Sequence, residues 1–428
     1  MRISVLTLGC KVNQYESRAL EESLEARGHA LVPFGEPADA VVVNTCTVTH
    51  RSDRDARALI RRARREVPGA RLLVTGCYAQ VDPQALAALG VDAVVGTGEK
   101  GAIPELLESR AQGVRVGESG ALQEFAPAPV GRFSGRARAY LKVQDGCACF
   151  CAYCIVPYAR GPSRSLPLGE VRAGLARLRE GGHGEVVLTG VHLGLWGRDL
   201  APPEPFGALL DAAEEAGLPR VRLSSLEPGE LTPEVVARLG ASRALCPHLH
   251  VPLQSGSDRV LAAMGRPYTA AQFRARVEAA REAVPGLCLG LDVIVGFPGE
   301  TDADFAETER LLEELPVAYL HVFPFSPRRG TRAWDLGDRV PAPVAAERAR
   351  RLRELSRKKR RAFERTHVGS VMLALPEGWA APGMLTLRTR NYIEVRMPWQ
   401  GPLPDGEIPV RLEGLARRGV AGRFAGGD

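Results

Sequence analysis

Apolar residues follow three different rhythms along the chain. Up to residue 119, short runs rich in valine and leucine at 2–8, 40–44, 71–75 and 91–95 alternate with helical patterns over 15–27, 51–67, 80–89 and 104–112. An unbroken run such as Ala40-Val41-Val42-Val43 suits a strand buried on both faces, the habit of parallel sheets. Strands alternating with helices predict right-handed crossovers and a doubly wound parallel sheet. Residues 125–131 are rich in proline and alanine and read as a linker. Apolar runs then return at wider spacing, at 139–143, 185–188, 220–223, 248–253, 289–295 and 319–323, with helical stretches such as 168–180 and 270–284 between them. Six strand–helix units predict a partial (β/α)6 barrel, whose chemistry belongs at the carboxyl ends of its strands. A long helix is expected over 344–365. Four short alternating segments at 369–375, 384–390, 392–397 and 407–412 predict a small all-β barrel. The expected class is α/β, with domains over 1–119, 133–365 and 366–426.

Composition changes this picture little. The chain has 428 residues, 45% hydrophobic and 25% charged, which is ordinary for a globular protein. A net charge of +6 permits an anionic partner without requiring one. The N-terminus lacks the pattern of a signal peptide, and no apolar run approaches the ~20 residues that span a bilayer. A cytoplasmic protein is the expectation. There thiols stay reduced, and nine cysteines, an odd number, read as metal ligands before they read as bridges.

Cys147, Cys151 and Cys154 give C-x3-C-x2-C just after the first barrel strand. Three thiolates at this spacing suit a cubane iron–sulfur cluster with one iron left open. A zinc site usually needs a fourth Cys or His close by, and none follows. Cys149 lies between two of these ligands, free to compete for iron or to point away. Cys10, Cys46 and Cys77 are far apart in sequence, yet each follows the end of an expected parallel strand, where ligands bind. Each also precedes a helix N-terminus that would favour thiolate. Three buried cysteines acting as small hydrophobes is the plainer reading, but that predicts positions within strands. A second three-cysteine cluster follows. Cys246 and Cys288 read as packing residues.

C-x3-C-x2-C with an aromatic before its last cysteine resembles the radical SAM signature. With a three-cysteine domain ahead of it, the whole chain resembles the methylthiotransferase family. The stretch Thr7-Leu8-Gly9-Cys10-Lys11-Val12-Asn13-Gln14-Tyr15-Glu16-Ser17 resembles the branch acting on N6-threonylcarbamoyladenosine in tRNA. Ala148 departs from the family pattern, where asparagine is expected, but leaves the ligands intact. The resemblance implies two 4Fe–4S clusters and S-adenosylmethionine (SAM). The first cluster would cleave SAM to a radical that takes hydrogen from C2 of adenosine 37, which an unactivated C–H bond requires. The second would deliver sulfur, and another SAM would methylate it. A flavodoxin or ferredoxin would donate electrons to a monomeric enzyme. A ribosomal-protein substrate, an isopentenyladenosine tRNA, and a non-catalytic iron–sulfur RNA-binding protein are the competing readings.

The same resemblance nominates cofactor contacts at the strand ends: Tyr153, Thr189, Gly190, Ser225, Glu227, Gln254, Asp292, Ile294, Gly296 and Phe323. The glycines of the segment from Gly290 to Gly296 would let backbone approach the adenine. Each of these residues also has an ordinary structural reading, and Tyr153 and Trp196 are equally packing aromatics. His192, His248 and His250 read as core histidines. His248 and His250 share a strand face, but no third metal ligand is evident nearby. For RNA, Arg357 and Lys358 stand in a basic run that is either a solvated face or a phosphate contact. Arg388, Arg390, Tyr392 and Arg396 form a basic and aromatic cluster on the small barrel. That barrel resembles the TRAM module, an OB-like RNA-binding fold, and the composition suits stacking and phosphate contact.

Overall fold

A computed structural model describes residues 1–126, 128–133 and 135–426; residue 127 of the expected linker lies outside them. The N-terminal sheet has six parallel strands in the order Ala30–Leu31, Arg2–Thr7, Ala40–Thr45, Arg71–Gly76, Ala93–Val95 and Gly113–Arg115. Four match the expected runs. The two edge strands have only two and three residues, too few to leave an apolar rhythm. Ala40–Thr45 is buried at every position, as a central strand covered on both faces must be. The order of connection reverses between Arg2–Thr7 and Ala40–Thr45, so the crevice at this switch point opens where Cys10 and Cys46 emerge.

Six parallel strands form the central barrel: Arg138–Lys142, Glu185–Thr189, Val221–Leu223, His248–Gln254, Cys288–Val295 and Tyr319–Pro324. They make two three-stranded sheets, and Val221 of the first forms an isolated bridge to Leu245 in the segment that leads into the second. Among the described residues the first and last strands do not pair, so the barrel is open on one side. Alternation along the strands sets the two environments. Leu249, Val251, Leu291, Val293, Leu320 and Val322 join the core under the helices. The intervening His248, His250, Asp292, Tyr319 and His321 face the lumen. Gly290 lies on the lumen side for a reason other than the expected one. A Cβ there would overlap the Tyr319 ring, so the missing side chain makes room for tyrosine rather than for adenine. Gly296 has φ +77°, donates its N–H to Glu300, and sits against Ala345. Its requirement is the turn and the helix behind it.

The 24-residue helix Ala342–Arg365 runs beside the last barrel strand to a closed five-stranded barrel. The strand order there is Val371–Ala381, Met384–Thr389, Glu394–Pro398, Val420–Phe424 and Ile408–Leu415. Val420–Phe424 was absent from the alternating pattern because two of its five residues are exposed. This barrel shares a core with the underside of the large one, where Cys288 and Tyr319 pack with Leu385, Leu387 and Val395.

That shared floor corrects three expected RNA contacts. Tyr392 stacks on His248 at 4.3 Å and lies under the Arg222 and Arg388 guanidinium groups. Arg388 pairs with Glu377 at 2.9 Å. Arg390 pairs with Glu407 at 2.5 Å and donates to the carbonyls of Pro219 and Arg243. Arg390 and Tyr392 bind the two barrels to each other, while Arg388 is held by a carboxylate of its own barrel and by the Tyr392 ring. Arg396 is half-exposed beside Glu394, whereas Arg357 and Lys358 face solvent. Lys359 and Arg361 of the same basic run instead donate to backbone carbonyls.

Candidate active site

The three N-terminal cysteines converge because their strands are in register. Thr7 pairs with Asn44, which pairs with Thr75, and each cysteine follows two or three residues later. Gly9 has φ +111°, and a Cβ there would lie 2.8 Å from the Cβ of Cys46. Gly76 has φ +100° and abuts the Thr45 carbonyl. Glycine before Cys10 and Cys77 therefore lets adjacent strand ends draw the thiols together. Cys10 is exposed, and Cys46 and Cys77 are buried. Burial pushes the Cys46 thiol up to about 11 and Cys77 upward as well, although Arg160 opposes the latter. The expected thiolate stabilisation by helix N-termini is thus outweighed. A coordinated metal would supply the missing positive charge, and three converging thiols fit an iron–sulfur cluster.

The second set sits on the loop after Arg138–Lys142 and Gln144–Asp145. The loop is pinned from outside: Cys147 N–H donates to Gly161, Ala152 N–H to Met264, and Ala333 N–H to Ala152. Phe150, with φ +44°, turns the chain, and its carbonyl accepts from Arg332. Cys151 Sγ accepts from Arg266 at 3.3 Å. Burial pushes Cys154 up to about 12. His192 Nδ1 lies 3.7 Å from Cys147 Sγ and 3.5 Å from Cys149 Sγ, so Cys149 turns toward the proposed ligands rather than away. Burial lowers the His192 pKa, but pairing with Cys149 and Glu230 outweighs it and lifts it to about 10.

The expected cofactor residues divide by depth. Tyr153 and Ile294 pack against Ala152, Met264 and Phe297 beside the cysteine loop. Glu227 forms an ion pair with Arg266, whose guanidinium also stacks over Tyr268. Thr189 is buried and its carbonyl accepts from Val143; Gly190 makes room for Gln144. Ser225 and Phe323 stand exposed on the rim. Gln254 is buried in the left-handed region at φ +66°, with its Oε1 unpartnered. Asp292 lies lower in the lumen. His250 Nε2 approaches its Oδ1 at 2.8 Å and His321 Nδ1 at 3.4 Å. The third group that was absent from the sequence near His250 is therefore present, but both imidazoles address one carboxylate oxygen. Arg266 and Glu230 were missed because neither lies in a motif.

Two sets of bonds hold the N-terminal domain over the barrel mouth. Arg328, from the loop after the last strand, donates to Asp53 at 2.7 Å and Thr47 at 2.5 Å, next to Cys46. Arg160 donates to Glu16 and Asp145 at 2.9 Å and to Asn13 at 2.6 Å; Lys142 bridges the same two carboxylates. Arg160 ends the helix Val156–Arg160, which starts two residues after Cys154 and packs against the helix Cys77–Val81. One short helix thus separates the two cysteine sets. A cavity of about 710 Å³ lies behind this network, against the helix Lys11–Ala26, and none of the six cysteines lines it.

Residues 2–96 match the family described as Uncharacterized protein family UPF0004, and residues 141–312 match the radical SAM superfamily. The chain is 40% identical to the threonylcarbamoyladenosine tRNA methylthiotransferase MtaB of Bacillus subtilis, over 91% of this chain and 88% of that one. It is 38% identical to the protein of the same name from Aquifex aeolicus, over 92% and 96%. It is also 36% identical to a tRNA-2-methylthio-N(6)-dimethylallyladenosine synthase of Novosphingobium aromaticivorans, over 98% and 97%. Among solved structures, the radical SAM methyltransferase TsrM of Kitasatospora setae shares the fold at 17% identity, with a TM-score of 0.57 over 76% of this chain and 74% of that one.

Proposed function

The chain belongs to the radical SAM tRNA methylthiotransferases, and from that premise we propose that it converts N6-threonylcarbamoyladenosine at position 37 of tRNA to its 2-methylthio derivative. The observation that carries the reading is the pair of three-cysteine sets on either side of one short helix. Cys147, Cys151 and Cys154 would hold the cluster that binds SAM, and Cys10, Cys46 and Cys77 a second one. When bound, these groups supply the carbon radical and the sulfur that an unactivated adenine C–H demands. The chain's own residues position and enclose. Tyr153, Ile294, Glu227, Arg266 and Gln254 shape the mouth where SAM would lie. Arg328 and Arg160 clamp the N-terminal domain above it and exclude water. An adenosine must leave its stack to enter, which costs least in a single-stranded loop. Electrons would come from a flavodoxin or ferredoxin, with the enzyme acting as a monomer in the cytoplasm.

The test is anaerobic incubation with dithionite, SAM, sulfide and three anticodon stem-loops, bearing threonylcarbamoyl, isopentenyl or no group on adenosine 37. After digestion, a methylthio mass gain is expected for the first alone. Conversion of the isopentenyl RNA instead would transfer the chain to the other branch, to which it is nearly as similar overall. 5′-Deoxyadenosine without any RNA product would point to a protein substrate.

For RNA docking, the expected contacts that remain open are Arg357 and Lys358, both exposed on the basic helix, and Arg396 on the TRAM-like barrel. Replacing Arg357 and Lys358 by alanine is expected to weaken stem-loop binding and to reduce the slope of log K against log salt by about 1.4, on the order of 0.7 per lost single-strand phosphate contact. Filter binding across a salt series measures both. An unchanged slope would return the run to a solvated face.

A further inference from the structure

Three neighbouring strands of the large barrel set His250, Asp292 and His321 side by side inside the lumen. In the register of the sheet, Asp292 lies opposite His321, and His250 lies opposite Gly290, two residues earlier on the strand of Asp292. Alternation along each strand turns all three side chains inward. His250 Nε2 lies 2.8 Å from Asp292 Oδ1, and His321 Nδ1 lies 3.4 Å from the same atom. One donor atom from each residue falls within 4.8 Å of the other two. Ile294, two residues beyond Asp292, packs beside the cysteine loop at the mouth. The cluster therefore sits about 7 Å below that level, at roughly 3.3 Å per strand residue.

Asp292 differs from the other inward carboxylates in its partners. Glu185 holds Arg220 and Arg222, Asp145 holds Arg160, and Glu300 holds Arg348. Among the described residues, no lysine or arginine pairs with Asp292; it meets only the two imidazoles. A hydrogen bond accounts for the shorter contact, but 3.4 Å lies beyond the ~3.2 Å at which N–H···O bonds ordinarily end. A shared cation accounts for both. Donor atoms each about 2.1 Å from one ion lie about 3.0 Å apart at right angles and about 3.4 Å apart at the tetrahedral angle. The support behind His250 is also in place. Ligation through Nε2 requires the ring proton on Nδ1, and Tyr319 OH lies 3.3 Å from that nitrogen, where it can accept; it can then donate to His248 Nε2 at 2.9 Å. An outer partner of this kind fixes the tautomer and the ring plane of a metal-binding histidine. Gly290 is what admits the tyrosine, since a Cβ there would lie 2.1 Å from its ring. The Asp292 side chain is 25% exposed and that of His321 55%, so one side of the cluster is open to the lumen. The arginines of the floor do not oppose a cation there, because Arg220 and Arg222 are neutralised on Glu185 and Arg138 on Glu377.

We propose that His250, Asp292 and His321 form a site for one divalent first-row cation, held by two imidazoles and one carboxylate, with its remaining positions open to the lumen. Two nitrogens and one oxygen suit manganese, iron(II), cobalt or zinc. The site contains no cysteine and is separate from both thiol sets. Its open positions would take an oxygen donor, such as a carboxylate, a carbonyl or water, from whatever enters through the mouth. The proposal concerns an ion resident in the barrel and stands whichever RNA or protein the enzyme modifies.

The probe is manganese(II), a hard cation with little preference for thiolate, titrated into the cluster-loaded enzyme without RNA. Free manganese is counted from its electron paramagnetic resonance signal, which broadens on binding. About one ion per chain is expected. His321→Ala removes a half-exposed ligand and should weaken that ion at least ~10-fold, since even outer partners of a ligand are worth that much. Asp292→Asn keeps the shape of the carboxylate and a hydrogen-bond acceptor. A cluster held by hydrogen bonds alone tolerates it, whereas the cation loses its one charged ligand and should weaken to the same degree. Iron and sulfide content checks that each variant keeps its clusters; if it falls in one, the other decides. Manganese bound equally by the wild type and the variants would lie on surface carboxylates instead, and the proposal would fail. It would fail equally if the wild type took up no stoichiometric ion at millimolar manganese.

Discussion

Replacing Cys46 by alanine is expected to leave SAM cleavage near the wild-type rate while methylthio product falls at least ~100-fold. The reason is the independence of the two thiol sets. Cys46 is 7% exposed, beside Cys10 and Cys77 on the N-terminal sheet edge. The loop carrying Cys147, Cys151 and Cys154 is pinned by Gly161, Met264 and Ala333, all within the barrel. The Arg328 clamp reaches Asp53 and Thr47, which the substitution leaves in place. Alanine therefore removes one proposed cluster ligand without moving the other site. Iron per chain should drop from about eight to about four. Cys151→Ala is the mirror control and should abolish 5′-deoxyadenosine as well as product. Chromatography of 5′-deoxyadenosine and mass analysis of digested RNA, from the same reaction, give both readouts. Product from the Cys46→Ala enzyme at more than a few per cent would mean that sulfur does not travel through these three cysteines.

Much of this was open to reading from the residues, and what was not has physical reasons. Ala40–Thr45 and Cys288–Val295 are buried parallel strands, and burial on both faces writes an apolar run that needs no partner to recognise. The cysteine sets were legible for two reasons. C-x3-C-x2-C is local, and Cys10, Cys46 and Cys77 share a position relative to their strands even though they share no spacing. The lumen was not legible. His250, Asp292 and His321 come from three strands whose register is set by their pairing in the sheet, and no sequence distance encodes that Asp292 pairs with His321. Arg388, Arg390 and Tyr392 failed in an instructive way. A ring among arginines is the composition of an RNA surface and equally of an interface between two polar barrel ends. Only the pairing of Arg388 with Glu377 and of Arg390 with Glu407 inside the small barrel, and the stacking of Tyr392 on His248 across the junction, decide between them.

Docking leads to the second large effect, at Arg160. Its side chain is 2% exposed and donates to Glu16, Asp145, Asn13 and nothing in solvent. Glu16 and Asp145 face it from different domains. Burial alone would raise both carboxyls; Arg160 and Lys142, joined by Lys100 at Glu16 and by Arg164 at Asp145, outweigh burial and hold them well below the ordinary carboxylate range. Arg160→Met removes the largest of these opposing charges and leaves Glu16 with Lys100 and Lys142 and Asp145 with Lys142 and a 3.8 Å contact to Arg164, which costs on the order of 3–5 kcal/mol when a buried pair loses one member. Because two domains are joined here, the loss should show as splitting of one unfolding transition into two rather than as a simple shift. The pH sign follows from the depressed carboxyls. Their contribution is present above their unfolded values near ~4 and is lost as pH falls toward the folded ones. With Arg160 gone, those folded values rise, so acid-induced separation should begin at higher pH than in the wild type. Circular dichroism over urea and pH series tests both statements. A kinetic signature distinguishes this from general damage: iron content and SAM cleavage should persist while product falls, since each cysteine set stays whole and only their alignment is lost. A variant that unfolds in one transition at the wild-type midpoint, with product formation intact, would show that the helix Val156–Arg160 does not hold the two sites in register.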